Sequence, residues 1–304
     1  MKVDLYLQTN DGHELAIYTR GNSKNPSVIF LHGGPGGSIN EKSFSFFDLN
    51  KWYVIAFDQR GCGNSKPFAS LHNNTIKHSA SDIELIRQYF NLNKITVFGG
   101  SYGSTLALYY AIEHPEKIES LVLRGIFLGR NEDVSWLYQE GASYFYPEEH
   151  NKFKEFIKKD KQGNLVNAYY QIFTSNDEEN KMKACKIWSD WESSVVNLVQ
   201  KKEFIKEEIT KRDISIALLE CYYFENKMFW NDDNYILNKV DKIKDIPIYT
   251  VHGRYDVDCR LSGAYQLHEK LNNGILYTAE RSGHSPYEEE SFRLLKNIMK
   301  DLES

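Results

Sequence analysis

Residues 95–110 read ITVFGGSYGSTLALYY. An apolar, strand-like run from Ile95 to Phe98 meets a serine set among glycines, and Thr105 to Glu113 carries a helix-like composition. Gly99 and Gly103 stand two residues before and two residues after Ser101. Small residues at those places let a strand and the following helix approach closely while the residue between them sits in a strained turn. Such a turn can also cradle phosphate, but that needs G-x-x-x-x-G-K-[ST] or a G-x-G-x-x-G fingerprint, and the glycine loops provide neither. Two uses remain: a tight turn with an incidental serine, or a turn that presents a nucleophile. In the second, the helix N-terminus favours negative charge developing on the attacked carbonyl.

The rest of the chain repeats the pattern of a short apolar run ending in a glycine-rich turn. Ser27 to Leu31 runs into His32-Gly33-Gly34-Pro35-Gly36-Gly37, and Tyr53 to Phe57 into Asp58-Gln59-Arg60-Gly61. Leu121 to Leu123, Pro247 to Val251 and Ile275 to Tyr277 behave alike. Near-continuous apolar strands are those of a parallel sheet buried on both faces, with segments such as Ser81 to Asn91 as helical crossovers. Val3 to Leu7 and Glu14 to Thr19 alternate around Asn10-Asp11-Gly12, a hairpin signal that predicts an antiparallel edge. From Leu128 to Lys239 the strand rhythm stops and helix-like, aromatic-rich sequence takes over. The expectation is a mostly parallel α/β core from 1–127 and 240–304, with 128–239 inserted as a helical cap over the strand ends, where ligands bind in open α/β sheets.

Composition is that of an ordinary globular protein, with 41% hydrophobic and 26% charged residues. A formal charge of −5 argues against nucleic acid or an anionic membrane as partner. Lys158-Lys159 and Lys201-Lys202 are interleaved with acidic residues and read as solvated helix faces. No secretory signal opens the chain and no apolar run would span a bilayer. The four cysteines are scattered without a C-x-x-C pair, so neither a zinc site nor a disulfide framework is expected, and a reduced, cytoplasmic setting is.

A serine hydroxyl needs a base, and the base an orienting acid. In this architecture the chain order is Ser, then Asp or Glu, then His. Asp256 follows the strand-like run ending in His252-Gly253, and His284 follows the next one, so Ser101, Asp256 and His284 form the expected triad. The N–H groups of Tyr102 and Gly34 are the expected oxyanion donors. Asp58-Gln59-Arg60-Gly61 reads as a structural brace beneath the site.

The strings HGGPGG, FDQRGCGNS, GGSYGSTLAL, LVLRGIF, YQEGAS, WSDWE and GRYDVDC, spread in order over most of the chain, resemble proline iminopeptidases of the α/β-hydrolase fold. The resemblance implies a serine exopeptidase acting on peptides with a free N-terminal proline, without metal or cofactor. It also implies that Glu192 and Glu220 capture the substrate's amino end, and that Arg124 and Phe127 lie near the proline pocket. Desolvated carboxylates suit that task, because an internal peptide would leave them unpaired, at about 3–5 kcal/mol. The alternative is a carboxylesterase or amidase with the same triad and uncharged substrates. The sequence departs from the resemblance at Tyr102 (usually tryptophan), at Cys221-Tyr222 (usually Asn-His), and at Asp258 and Arg260 (usually an apolar residue and proline).

Overall fold

The computed structural model describes residues 1–199 and 208–303. Eight strands form one sheet in the order β1-β2-β4-β3-β5-β6-β7-β8. They are β1 (Leu5–Gln8), β2 (Glu14–Arg20), β3 (Ser27–Leu31), β4 (Tyr53–Phe57), β5 (Ile95–Gly100), β6 (Ile118–Arg124), β7 (Ile248–Gly253) and β8 (Gly274–Ala279). From β4 to β8 all neighbours are parallel, while β1 and β2 add the antiparallel edge. This is the α/β-hydrolase architecture.

The continuous apolar runs have a direct cause. In β3, Ile29 and Leu31 join the core on one face while Val28 and Phe30 join the core on the other. β4 divides in the same way, with Ile55 and Phe57 against Val54 and Ala56. Helices α1 (Ile76–Tyr89) and α2 (Tyr102–Glu113) pack on the first face, and α10 (Glu289–Asp301) on the second. Helix α1 starts five residues before the sequence expectation because Thr75 caps it, its side chain accepting from the His78 N–H.

Between β6 and β7 the described chain holds only helices: α3 (Asn131–Tyr138), α4 (Pro147–Glu155), α5 (Leu165–Phe173), α6 (Glu178–Val195), α7 (Lys211–Glu225), α8 (Tyr235–Lys239) and short 3₁₀ turns. The short helix α8 returns to the sheet side: Tyr235 Oη donates to Glu113 on α2 at 2.5 Å. Lys158 and Lys159 are exposed, but at a short 3₁₀ turn instead of a helix face, and Lys201-Lys202 lies outside the described residues. Among the described residues no helix is long and apolar enough to cross a membrane.

Two tethers bind the loops beneath the sheet's C-terminal edge. Asp58 accepts from Tyr18 Oη (2.7 Å), Ile39 N (2.7 Å) and Asn64 N (2.9 Å). Arg60 forms a two-pronged pair with Asp82 (2.7 and 2.6 Å) and reaches Asp11 (2.9 Å). The side chains of Arg60 and Asp82 are each 2% exposed. Breaking such a pair from one side leaves a buried charge alone. Arg60→Met is therefore expected to lower unfolding free energy by about 3–5 kcal/mol, and Arg60→Met/Asp82→Leu to recover much of it. Chemical denaturation of the two variants checks this; equal losses would refute it.

Candidate active site

Ser101 joins β5 to α2 with φ 57° and ψ −132°, a left-handed conformation that a side chain adopts only when its surroundings force it. The surroundings here are three glycines. A Cβ on Gly99 would lie 2.2 Å from the Gly103 carbonyl, and one on Gly103 would lie 2.5 Å from the Leu31 carbonyl. One on Gly33 would lie 3.1 Å from Ser101 Cβ. Tyr102, directly after the serine, is fully buried at the start of α2.

The loop after β3 is held by its own histidine. His32 Nδ1 donates to Gly33 O (2.9 Å), and Nε2 accepts from Gln59 N (3.0 Å). Gln59 Nε2 donates back to His32 O (2.9 Å). The Asp58-Gln59-Arg60 segment thus braces the loop that carries Gly34.

Asp256 and His284 lie in the loops after β7 and β8. His284 Nδ1 donates to Asp256 Oδ2 at 2.8 Å. Burial lowers His284 to about 4 and raises Asp256 to about 6, so at neutral pH the ring is neutral and the carboxylate ionised. Asp256 Oδ1 accepts from Cys259 N (2.8 Å). His252, which sequence reading passed over, is buried beside it: Nδ1 accepts from Ile126 N (3.1 Å), Nε2 donates to Cys259 O (2.8 Å), and Nε2 lies 3.4 Å from Asp256 Oδ2. Its position at the end of a strand, in His252-Gly253-Arg254-Tyr255-Asp256, was the available signal. Gly125 was missed too. At φ +51° its Cβ would lie 2.8 Å from His284 Cε1 and 3.0 Å from Nδ1.

Arg124 is placed against His284 and is not among the residues lining the cavity. Its Nη1 donates to His284 Nε2 (3.0 Å) and to His284 O (3.0 Å). The lone pair of Nε2 is therefore held by a guanidinium. Asp258 Oδ2 lies 3.8 Å from the same nitrogen. Asp258, Cys259 and His284 bring three metal-ligating atoms within 4.8 Å of one another, but the Arg124 cation beside Nε2 opposes a metal ion there.

A small pocket opens over Ser101. It is lined by Gly34, Ser101, Phe127, Leu137, Glu192, Glu220, Phe224, Asp258 and Cys259. Phe127 packs edge-on to Phe224 at 5.6 Å, giving an apolar wall. Glu220, on α7, is 3% exposed, and its Oε2 accepts from Tyr138 Oη and Trp188 Nε1, both at 2.8 Å. Burial first, then the charge of Glu192, raises Glu220 well above the ordinary carboxylate range. Glu192, on α6, has Arg212 Nη2 3.8 Å from Oε2, an atom that accepts no hydrogen bond among the described residues. Of the departures noted in the sequence, only Asp258 lines this cavity. Cys221 is buried with its thiol on Val166 O (3.3 Å), Tyr222 packs on Phe229, and Arg260 pairs with Asp133 (2.8 Å).

The chain matches the model of the alpha/beta hydrolase fold over residues 26–291. It is 39% identical over 290 residues to the proline iminopeptidase of Xylella fastidiosa, covering 95% of this chain and 93% of that one. It is 37% identical over 298 residues to the proline iminopeptidase of Neisseria gonorrhoeae, covering 98% and 95%. An esterase from Rhodococcus sp. ECU1013 superposes with TM-score 0.65 at 18% identity, covering 100% and 99%, a likeness of fold alone.

Gly125→Ala places a methyl group against the His284 ring and a side chain at positive φ. We expect kcat to fall by about 10²-fold, the usual consequence of an ångström's displacement of a reacting group. Steady-state kinetics of the folded variant checks this; an unchanged kcat would show that the ring has room to spare.

Proposed function

Because this chain belongs to the proline iminopeptidases of the α/β-hydrolase fold, we propose that the cavity over Ser101 holds the N-terminal residue of a peptide, preferably proline, and that Ser101 cleaves the bond after it. The chain is a serine hydrolase and an aminopeptidase. One observation carries the reading of the site: a serine in a strained strand-to-helix turn shares a small cavity with buried carboxylates.

The chemistry follows from the atoms. The substrate ammonium enters between Glu192 and Glu220, whose second oxygen, Oε2, is already held by Tyr138 and Trp188. The ring packs on Phe127 and Phe224. The Nε2 lone pair of His284 passes from Arg124 to Ser101 and takes the hydroxyl proton as Oγ attacks the carbonyl carbon. N–H groups of Tyr102 and Gly34 hold the oxyanion. Collapse breaks the C–N bond, and Nε2 returns its proton to the leaving amine. Water, deprotonated by the same nitrogen, then releases the acyl group. Asp256 keeps Nδ1 protonated and the ring oriented. Arg124, with its two hydrogen bonds to His284, acts on the histidine and only through it on the substrate. Residues 128–239 serve as the cap. A cytoplasmic location is supported by four free, buried cysteines.

A carboxylesterase would have no use for a carboxylate such as Glu220, buried and doubly hydrogen-bonded at the pocket wall. The test compares kcat/KM on proline aryl-amide, its N-acetyl form and an uncharged acyl ester. Free proline amide is expected to win by orders of magnitude. Ser101→Ala should abolish turnover in a folded protein. Glu192→Gln and Glu220→Gln should each lower kcat/KM on the free amide by about 10²-fold or more while sparing the ester, because each removes one of the acids that face the ammonium. Equal cleavage of free and acetylated amide would refute amine capture and leave an esterase.

A further inference from the structure

We propose that Asp258 is a specificity-determining residue: a third acceptor for the substrate's α-ammonium, which extends the enzyme from proline to N-terminal residues with a primary amine and a small side chain, alanine and glycine above all. The inference rests on the amine-capture reading above and refines it.

Asp258 stands two residues after Asp256, in the loop between β7 and α9 (Leu261–His268), and is 7% exposed. It lines the same cavity as Ser101, Glu192 and Glu220. Its Oδ1 takes only a long contact from the Cys259 thiol (3.5 Å), and its Oδ2 accepts no hydrogen bond among the described residues. The cavity lining therefore holds three carboxylates and no cation among the described residues. The three carboxylates line one small pocket with Ser101, so an occupant of that pocket borders all of them. Buried carboxylates without partners are costly, and so many acids in so small a space call for an occupant that brings several N–H donors on one positive charge.

Position sharpens the assignment. The α-nitrogen of a bound peptide is two bonds from the carbonyl carbon that Ser101 attacks, and so sits close to His284 Nε2. Asp258 Oδ2 is 3.8 Å from that nitrogen. It thus borders the place the ammonium must occupy. The charge of Asp258 also bears on Glu220, and that of Glu192 on Asp258, as expected for three acids facing one space. Burial raises Asp258 to about 6, which leaves it largely ionised in the neutral to mildly alkaline range.

Donor counting then separates substrates. The secondary ammonium of proline has two N–H groups, enough for Glu192 and Glu220. Its third substituent is a ring methylene, which cannot satisfy Asp258 and removes water from it. A primary ammonium has three N–H groups, one for each carboxylate. Proline retains the advantage of its ring on Phe127 and Phe224. Alanine and glycine gain a charged hydrogen bond in its place. A carboxylate that acted only on His284 would treat both kinds of substrate alike, and that difference makes the proposal testable.

The experiment measures kcat/KM on proline, alanine and glycine aryl-amides for the wild type, Asp258→Ala and Asp258→Asn, with N-acetyl-alanine amide as control. The wild type is expected to cleave alanine amide within about tenfold of proline amide. Asp258→Ala should lower the alanine-to-proline ratio by about tenfold or more, through KM more than kcat. Asp258→Asn, which keeps the shape and loses the charge, should lower it as well. A parallel fall on all amides, with the ratio unchanged and the acid limb of the pH profile moved, would overturn the proposal and make Asp258 a partner of His284. Alanine turnover below about a hundredth of proline turnover in the wild type would also overturn it. Cleavage of N-acetyl-alanine amide as fast as the free amide would mean that amine capture itself fails, a result distinct from either.

Discussion

The carbonyl of Val196 is the hinge pin of this molecule. It stands just past α6 and accepts two backbone N–H groups, from His284 (3.0 Å) and Ser285 (2.9 Å). Helix α6 also carries Glu192, one turn earlier. A single helix end thus ties the His284 loop and one wall of the pocket over Ser101. Glu288 reinforces the joint by accepting from Leu198 N (2.6 Å) and from Gly283 N. A second joint lies across the cavity, where Ser215 on α7 donates to Gly36 O (2.7 Å). A Cβ on Gly36 would lie 2.3 Å from the Ser215 carbonyl, so the glycine is what lets cap and core touch. Helix α7 carries Glu220. Each carboxylate-bearing helix of the cap is therefore tied by backbone contact to a loop that builds the reaction centre. On the proposed reading, amine recognition and catalysis share this scaffold.

The buried acids are tolerated for different reasons. Glu220 is surrounded by a ring of aromatics, with Tyr138 stacked on Trp188 at 4.3 Å, and both donate to the same oxygen. Two donors on one oxygen fix the carboxyl rotamer and aim the other oxygen without help from substrate. Glu192 has a loosely held guanidinium at 3.8 Å, which offsets charge without saturating the acceptor. Asp258 has neither aid. That gradient, from a fully anchored acid to an almost unanchored one, runs from the cap toward His284.

The fold was legible because the central strands β3 to β7 are buried on both faces and most of them run into glycine-containing turns. The proposed triad could be read from the sequence because its three residues follow three separate strands in the order this architecture requires, and the structure brings two of them, Asp256 and His284, into hydrogen-bond contact. What the sequence hid lies at shorter range. Thr75 looked like a loop residue, since capping depends on one hydrogen bond that no periodicity reports. Gly125 meets His284 from far away in the chain, and His252, four residues before Asp256, takes the Ile126 N–H, a contact created by β6 and β7 lying side by side. The family resemblance placed Arg124 near the proline pocket, but its direction depends on Gly100. A Cβ there would lie 2.2 Å from Arg124 Nε, so the absence of one lets the guanidinium lie back along the strand end toward His284.

That placement of Arg124 bears on how a reactive serine is kept quiet. Water is always present, and an enzyme that activated Ser101 without substrate would gain nothing from it. The Nε2 lone pair is committed to a guanidinium whose second hydrogen bond, to the His284 carbonyl, keeps it in place. Burial keeps the ring neutral, so the lone pair persists at ordinary pH and only its partner changes. On the proposed mechanism, an ammonium entering among Glu192, Glu220 and Asp258 alters the field on Nε2 by placing a new cation within a few ångströms of Arg124. Two cations that close in a low-dielectric pocket repel strongly, and the guanidinium is the one on a flexible stem. The charge that identifies the substrate is thereby the charge that frees the base. On that mechanism, recognition of the amine and release of the histidine act through one pocket.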